Sequence, residues 1–217
     1  MKSRQESGRK GLVFVISAPS GTGKTTLVRR VMEQVGGLRF SVSYTTRLPR
    51  TNEREGEDYH FVTPSVFRKM IEKGEFLEWA EVLKNYYGTA LIEIDRVVSQ
   101  GRDLILDIDT QGARKVMEKV DQAVLIYILP PSLGSLRERL VKRGLDSPQM
   151  IEHRLASARG DIQEAHWYQY VIINERIEEA VEKLTAIIIA ERCRGLKTSI
   201  LEAKKGEWEE HHGENHG

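Results

Sequence analysis

A glycine-rich segment near the start of the sequence leaves few folds open. The run at residues 12–17 is rich in β-branched residues, and residues 24–35 place apolar side chains at helical spacing. The segment between them reads Ala-Pro-Ser-Gly-Thr-Gly-Lys-Thr from Ala18 to Thr25, and it matches the phosphate-loop pattern G-x-x-x-x-G-K-[ST] except at the first position. The sequence therefore predicts a strand, a loop and a helix, with a polyphosphate at the helix N-terminus.

Each residue type in this segment suits a polyphosphate ligand. Gly21 and Gly23 allow backbone N–H groups to turn toward the phosphates, and Lys24 can reach the outer oxygens. The hydroxyl of Thr25 can ligate Mg²⁺. The methyl group of Ala18 is tolerated in place of glycine if its φ is negative. A turn without ligand is the alternative, but the Lys-Thr-Thr sequence argues against it. We expect a nucleotide to contact Ala18, Pro19, Ser20, Gly21, Thr22, Gly23, Lys24, Thr25 and Thr26.

Strand-like and helix-like stretches alternate along most of the chain. This alternation predicts an α/β fold, in which a parallel sheet of the P-loop NTPase type carries helices on both faces. The strands are expected at residues 12–17, 103–108, 123–129 and 170–173, and the helices at residues 24–35, 111–120, 132–143 and 178–194.

Two stretches break this rhythm. Residues 41–94 contain short runs at 40–44, 59–62, 76–82 and 86–89 with one helix, which predicts an inserted α+β lobe. Residues 143–162 are polar, helical and arginine-bearing, which predicts a mobile lid. We expect one domain over residues 11–201, with its core at 11–40, 95–142 and 163–195, between a disordered extension at 1–10 and a flexible tail at 202–217.

Composition excludes several classes of protein. Lys and Arg total 33 against 32 for Asp and Glu, so the net charge of +1 gives no global attraction for nucleic acid. The single cysteine, Cys193, excludes an intrachain disulfide and is expected in a buried helix position.

Apolar runs are too short for a membrane span, and no secretory signal precedes them, so we expect a cytoplasmic protein. The last helix could pack on the core alone or against a second subunit, which leaves monomer and homo-oligomer open.

Two further groups of side chains suit an anion and a metal. Arg47 and Arg50 flank a proline whose fixed φ favours an extended turn, so both guanidinium groups could converge on one phosphate. A solvated basic loop is the alternative. Asp107 and Asp109 end a predicted strand, where ligands of open α/β sheets bind, and either could order Mg²⁺ through water. Asp109 could instead cap the following helix.

Further motifs in the predicted lobe make the chain resemble guanylate kinases. They are G-x-D-Y-x-F, F-x-E-W-A and N-Y-Y-G-T, which follow T-T-R-x-P-R and precede L-D-I-D-x-Q-G and a late I-N. The resemblance covers about 180 residues, from Gly11 to Arg194. It implies transfer of the γ-phosphoryl group of Mg·ATP to GMP or dGMP, which serves purine nucleotide metabolism.

The resemblance also implies roles for particular residues. Glu78 would accept hydrogen bonds from guanine, although a strand glutamate without these flanking motifs is usually a surface residue. Arg143 and Arg154 would close over the donor phosphates, and Asn174 would lie near the donor adenosine. Catalytic roles are implied for Lys24, Arg47, Arg143 and Arg154, and binding of GMP for Ser43, Arg47, Arg50, Tyr59, Glu78, Tyr87, Thr89 and Asp107.

Two other functions remain open from the sequence. A non-catalytic guanylate-kinase-like module would bind phosphopeptides or proteins through the same lobe, but it would not need Lys24, Arg143 and Arg154 together. A kinase for another acceptor would not need Glu78 beside Ser43 and Thr89. No histidine is placed for proton abstraction, which agrees with an acceptor that is already an anionic phosphate.

Overall fold

The computed structural model of the chain describes residues 10–82 and 84–210. The strands are β1 (Val13–Ser17), β2 (Leu38–Phe40), β3 (Tyr44–Thr45), β4 (His60–Phe61), β5 (Phe76–Val82), β6 (Asn85–Ala90), β7 (Asp103–Asp107), β8 (Val124–Leu129) and β9 (Tyr170–Ile173). The helices are α1 (Lys24–Gln34), α2 (Pro64–Glu72), α3 (Leu91–Ser99), α4 (Thr110–Lys119), α5 (Leu133–Arg143), α6 (Pro148–Gln163) and α7 (Ile177–Glu210), with a 3-10 turn at Glu164–Trp167.

The core sheet is parallel, with the strand order β2-β7-β1-β8-β9. Because successive side chains of a strand point to opposite faces, β1 supplies two hydrophobic layers. Phe14 and Ile16 pack with α1 and α7, whereas Val13 and Val15 pack with α3 and α4. The predicted α/β fold, with helices on both faces of a parallel sheet, is confirmed.

The inserted lobe has its own sheet, in the order β4-β3-β6-β5. Strand β6 pairs antiparallel with both β3 and β5, while β3 pairs parallel with β4. Phe67 of α2 is fully buried, and its ring stacks on Phe76 at 4.5 Å and on Tyr86 at 5.4 Å between centroids. This aromatic cluster fixes α2 against the sheet, so the lobe has a hydrophobic centre separate from the core sheet.

The structure departs from the sequence prediction where the lobe joins the core. The predicted run at residues 40–44 is divided, because Phe40 ends β2 in the core sheet and Tyr44 begins β3 in the lobe. Helix α3 was not predicted, and the expected lobe boundary after residue 94 falls inside it. Ile94 and Val97 of this helix pack in the core, so their apolar side chains fasten the end of the lobe to the core sheet.

The C-terminal helix is longer than predicted. It continues through Glu210, into the segment that was expected to form an aperiodic tail from residue 202. Residues 1–9 of the expected N-terminal extension and 211–217 of the tail lie outside the described residues. Cys193 is exposed on α7, so the expected buried position is wrong. In the described ranges, no helix combines the length and the apolar character that a membrane span requires.

Candidate active site

The phosphate loop joins β1 to α1 as the sequence predicts. Gly21 and Gly23 have φ of +92° and +93°, a region that L side chains rarely adopt. A Cβ on Gly21 would lie 2.7 Å from a methyl group of Leu140, so the tight loop also allows α5 to approach. Ala18 is not among the residues with positive φ, and its methyl group therefore satisfies the condition under which alanine can replace the first glycine.

Lys24 lies between the phosphate loop and the end of β7. Its ammonium forms a close ion pair with the Asp107 carboxylate and lies 3.4 Å from the carbonyl oxygens of Ile16 and Ile108. The side chains of Lys24 and Asp107 are 17% and 18% exposed, so both charges are mostly screened from bulk water. The cation is therefore held at the helix N-terminus, where an anionic ligand is favoured.

Two side chains from distant elements brace the loop through one carbonyl group. The backbone oxygen of Thr22 accepts hydrogen bonds from the buried Asn174 amide at 2.7 Å and from Arg139 at 3.1 Å. Arg139 also donates to the backbone oxygen of Asn174 at 2.8 Å. Nothing in the local spacing indicated this role, because 117 residues separate it from Thr22.

The predicted lid reaches the phosphate loop through one of the two arginines that the resemblance assigns to the donor phosphates. Arg154 of α6 donates to the Ser20 hydroxyl at 2.5 Å and pairs with Asp146 at 3.2 Å. Its Nε is buried, with no protein partner within the described residues. Arg143 is exposed in the last turn of α5, where the chain turns toward α6. The structure therefore places Arg154 on the loop and leaves Arg143 at the solvent edge.

Arg47 and Arg50 of the lobe share a carboxylate that the sequence analysis overlooked. Arg47 donates to one oxygen of Glu53 at 2.8 Å, and the backbone N–H of Arg50 donates to the other at 2.8 Å. Burial disfavours the Arg47 cation, but hydrogen bonds with Glu53 and Tyr87 outweigh it, so its pKa is raised. The spacing of Arg50 and Glu53, three residues apart with opposite charges, was the available signal. The basic loop is thus an ordered group of charges.

Two tyrosines stand beside these arginines. The rings of Tyr59 and Tyr87 meet edge to face at 5.9 Å, and the Arg47 guanidinium lies 5.4 Å from the Tyr59 ring centroid. Burial raises the pKa of Tyr59 well above its ordinary value, and the negative charge of Asp107 raises it further. The Tyr59 hydroxyl therefore keeps its proton at neutral pH and can donate to an anion.

A buried carboxylate stands on the lobe strand that faces α4. Glu78 of β5 is 4% exposed and accepts a hydrogen bond from the Thr89 hydroxyl at 2.7 Å, because the two residues are partners across β5 and β6. Burial raises the pKa of Glu78 to about 7. Ser43 is also buried, immediately before β3. A carboxylate so far from water is costly, and a carboxyl group whose pKa is raised by burial in this way is typical of a functional site.

Asp109 has a structural role. Its carboxylate caps α4 by accepting the Gly112 N–H at 2.8 Å, which was the alternative left open by the sequence. No group of three or more metal-binding side chains occurs in the part of the chain that the structure describes. Thr25 is exposed in the first turn of α1, and Asp107 lies on the other side of Lys24. These hard oxygen donors fit Mg²⁺ that arrives with nucleotide phosphates better than a resident ion.

Comparisons with known proteins agree with this geometry. The family model described as guanylate kinase matches residues 10–191. A guanylate kinase of Geobacter metallireducens is 50% identical over 186 residues, which cover 86% of this chain and 92% of the relative. One from Clostridium perfringens is 42% identical, with coverage of 97% and 98%.

A solved structure gives the same result. The crystal structure of guanylate kinase from Anaplasma phagocytophilum has a TM-score of 0.72 and 37% identity, and the match covers 84% of this chain and 87% of that one. The resemblance carried by the lobe motifs is therefore confirmed, and the chain belongs to the guanylate kinase family.

Proposed function

We propose that this chain is an ATP:(d)GMP phosphotransferase, which converts Mg·ATP and GMP or dGMP into ADP and GDP or dGDP. The observation that carries the proposal is the turn from β7 into α4. Asp107, at the start of this turn, pairs with Lys24 of the phosphate loop, and Gly112, just after it, lies against the Glu78 carboxylate of the lobe. A donor site and an acceptor site therefore meet at one turn. Cytoplasmic location and the choice between monomer and homo-oligomer stay predictions.

On the donor side, cations surround the place where the phosphates would lie. The loop N–H groups and Lys24 would hold the β- and γ-phosphate oxygens, as the loop's position at the N-terminus of α1 supports. Arg154 already lies on Ser20, and Arg143 would join it when the lid closes. Thr25 would ligate Mg²⁺, and Asp107 could hold it through water. When bound, Mg²⁺ neutralises charge on the transferring phosphoryl group.

On the acceptor side, the lobe would hold the phosphate of GMP. Arg47 and Arg50 supply guanidinium donors, and Tyr59 and Tyr87 supply hydroxyl donors. An oxygen of this phosphate attacks the γ-phosphorus of ATP. The new O–P bond forms as the bond between the γ-phosphorus and the β,γ-bridging oxygen breaks, so ADP leaves with the electron pair. The attacking oxygen is already anionic, so no general base is required.

Three buried side chains of the lobe, Ser43, Glu78 and Thr89, would recognise the base. The Glu78 carboxylate can accept hydrogen bonds from guanine N1–H and from the exocyclic amine, and the hydroxyls of Ser43 and Thr89 can address the other edge. Adenine has no N1–H and would leave the carboxylate unpaired. A site of this kind rejects the wrong base by roughly 10⁴-fold. Asn174 was expected near the donor adenosine, and its amide bonded to Thr22 supports a place beside the donor loop.

The decisive experiment measures ADP formation from Mg·ATP with GMP, dGMP, AMP, CMP and UMP as separate acceptors. We expect turnover with GMP and dGMP, and kcat/KM for AMP lower by at least about 10³-fold. Comparable turnover with AMP would contradict guanine selection by Glu78. If GMP binds in calorimetry but no acceptor is phosphorylated, the non-catalytic module is the correct function.

A substitution at Gly112 tests the proposed base site around Glu78 and adds only one methyl group. A Cβ at this position would lie 2.7 Å from Oε2 of Glu78 and 3.4 Å from the Asp109 carboxylate. We expect Gly112→Ala to displace Glu78 and to raise KM for GMP by about tenfold, while KM for ATP changes less than about twofold. The matched control is Gly160→Ala in α6, where the added Cβ meets no atom within 4 Å. Equal GMP KM values in both variants would contradict the tight fit.

A further inference from the structure

Two lysines of α4 cap the lobe strand on either side of Glu78. Lys119 donates to the backbone oxygen of Leu77 at 2.5 Å, and Lys115 donates to that of Trp79. Strand β5 is the edge strand of the lobe sheet, and the two ammonium groups of α4 supply donors to its backbone. Each lysine therefore connects α4 to the strand that carries Glu78 by a hydrogen bond to the strand backbone.

The two lysines differ in what else they contact. The Lys115 ammonium lies 4.9 Å from the Trp79 ring centroid, and its side chain is half-buried, whereas Lys119 is exposed. The charged groups that act on Glu78 are Asp109, whose negative charge raises the carboxyl pKa, and Lys115, whose positive charge lowers it. Hydrogen bonding by Thr89 also favours the ionised form, and burial opposes it as the largest effect.

We propose that Lys115 is a positioning residue for guanine selection, whose ammonium keeps the buried Glu78 carboxyl ionised and ready to accept two N–H donors. The proposal rests on the proposed function, in which Glu78 reads the base. Lys115 lies one helical turn after Gly112, where an added Cβ would be 2.7 Å from Oε2 of Glu78, and its ammonium is held at the carbonyl oxygen of the residue that follows Glu78. The charge of Lys115 matters because Glu78 is buried, and electrostatic interactions between Lys115 and Glu78 are stronger in surroundings of low polarity.

Loss of this charge should have a specific kinetic signature. Only the ionised carboxyl can accept hydrogen bonds from both N1–H and the amine, so binding of GMP should improve as pH rises through the pKa of Glu78. Without Lys115 that pKa rises, and the improvement moves to higher pH. The step of phosphoryl transfer does not involve Glu78, so kcat at saturating GMP should change little.

The experiment compares Lys115→Met, Lys115→Arg and Lys119→Met with the wild-type chain. We expect Lys115→Met to raise KM for GMP by about tenfold at pH 7 and by less than about threefold at pH 8.5, with kcat within about twofold. Lys119→Met removes the matching carbonyl contact and should leave KM within about twofold at both pH values. Lys115→Arg retains the charge and should restore most of the affinity. Any change in the protonation of GMP between the two pH values affects the wild-type chain and the three variants equally, so it cancels in the ratio of variant KM to wild-type KM.

A second readout does not depend on turnover. The carboxyl carbon of Glu78 can be titrated by NMR in the protein without substrates, and its midpoint should move to higher pH in Lys115→Met but not in Lys119→Met. Equal KM changes in both methionine variants, independent of pH, would overturn the proposal and leave only strand capping. If the wild-type chain does not phosphorylate GMP, the proposed function fails. The NMR midpoints then still decide whether Lys115 controls the ionisation of Glu78.

Discussion

Lys24→Met should lower kcat for phosphorylation of GMP by about 10²- to 10³-fold, the loss expected when one charged donor to a transition state is removed. The Lys24 ammonium is the cation placed at the N-terminus of α1, and charge on the γ-phosphoryl oxygens develops in front of it. Methionine has a similar length but no charge, so the loop is expected to keep its shape while the stabilisation is lost. A coupled assay of ADP formation at saturating substrates measures the change.

Loss of the Lys24 ammonium also leaves Asp107 without its partner, so the fold must be checked separately. The affinity for GMP should remain close to the wild-type value, because the lobe arginines are not altered, whereas thermal unfolding measures how far the unpaired Asp107 lowers stability. Lys183→Met is the control, since this lysine is exposed on α7 away from the site. If Lys24→Met retains more than about a tenth of the wild-type kcat with a normal fold, Lys24 does not stabilise the transition state.

The sequence predicted the elements in which one pattern dominates. Val13–Ser17 precedes a loop whose motif fixes the spacing of its residues. Phe76–Val82 and Tyr170–Ile173 contain no glycine or proline that would interrupt a strand. These three strands were therefore predicted within one residue. The candidate site residues were found in the same way, because arginines, tyrosines and the glutamate of the lobe lie in short motifs. Local patterns thus identified the parts of the fold at which the proposed function places the substrates.

Contacts between distant segments were not predicted from the sequence. Arg139 reaches Thr22 across 117 residues, and Lys115 reaches Trp79 across 36, and neither pair has a spacing that periodicity can reveal. Glu53 was missed for a different reason, since its spacing from Arg50 was visible but the same spacing of opposite charges recurs at Arg54 and Glu57 and does not single out one pair. These residues bond to the phosphate loop, to the strand that carries Glu78 and to Arg47, so the part of the candidate site that sequence analysis missed is mainly its support.

Glu78→Gln should lower kcat/KM for GMP by about 10²- to 10³-fold, because two hydrogen bonds to a charged acceptor are lost. Glutamine can accept one N–H with its oxygen, but its amide nitrogen then points donors at the donors of guanine. KM should carry most of the change, since Glu78 does not contact the transferring phosphoryl group. The preference for GMP over AMP should fall by a similar factor, which separate assays with the two acceptors measure.

The same substitution should stabilise the fold at alkaline pH. Burial raises the pKa of Glu78 from 4.5 to about 7, so the folded protein binds more protons than the unfolded chain between these values. Stability is therefore lost as pH rises from about 4.5 to about 7, and at 1.36 kcal/mol for each pKa unit the loss approaches about 3 kcal/mol. Glutamine does not ionise, and its oxygen can still accept the Thr89 hydroxyl, so the variant avoids this loss.

Urea unfolding at pH 5 and pH 8 tests the opposition between function and stability at Glu78. The gain in the free energy of unfolding of Glu78→Gln over wild type should be larger at pH 8 than at pH 5, by about 1 to 3 kcal/mol. Glu81→Gln is the matched control, because this glutamate lies on the same strand but is exposed. A gain that does not depend on pH would mean that Glu78 ionises in the folded protein as it does in water. Burial would then not destabilise the ionised carboxylate. If Glu78→Gln also kept the wild-type activity with GMP, Glu78 would not select guanine.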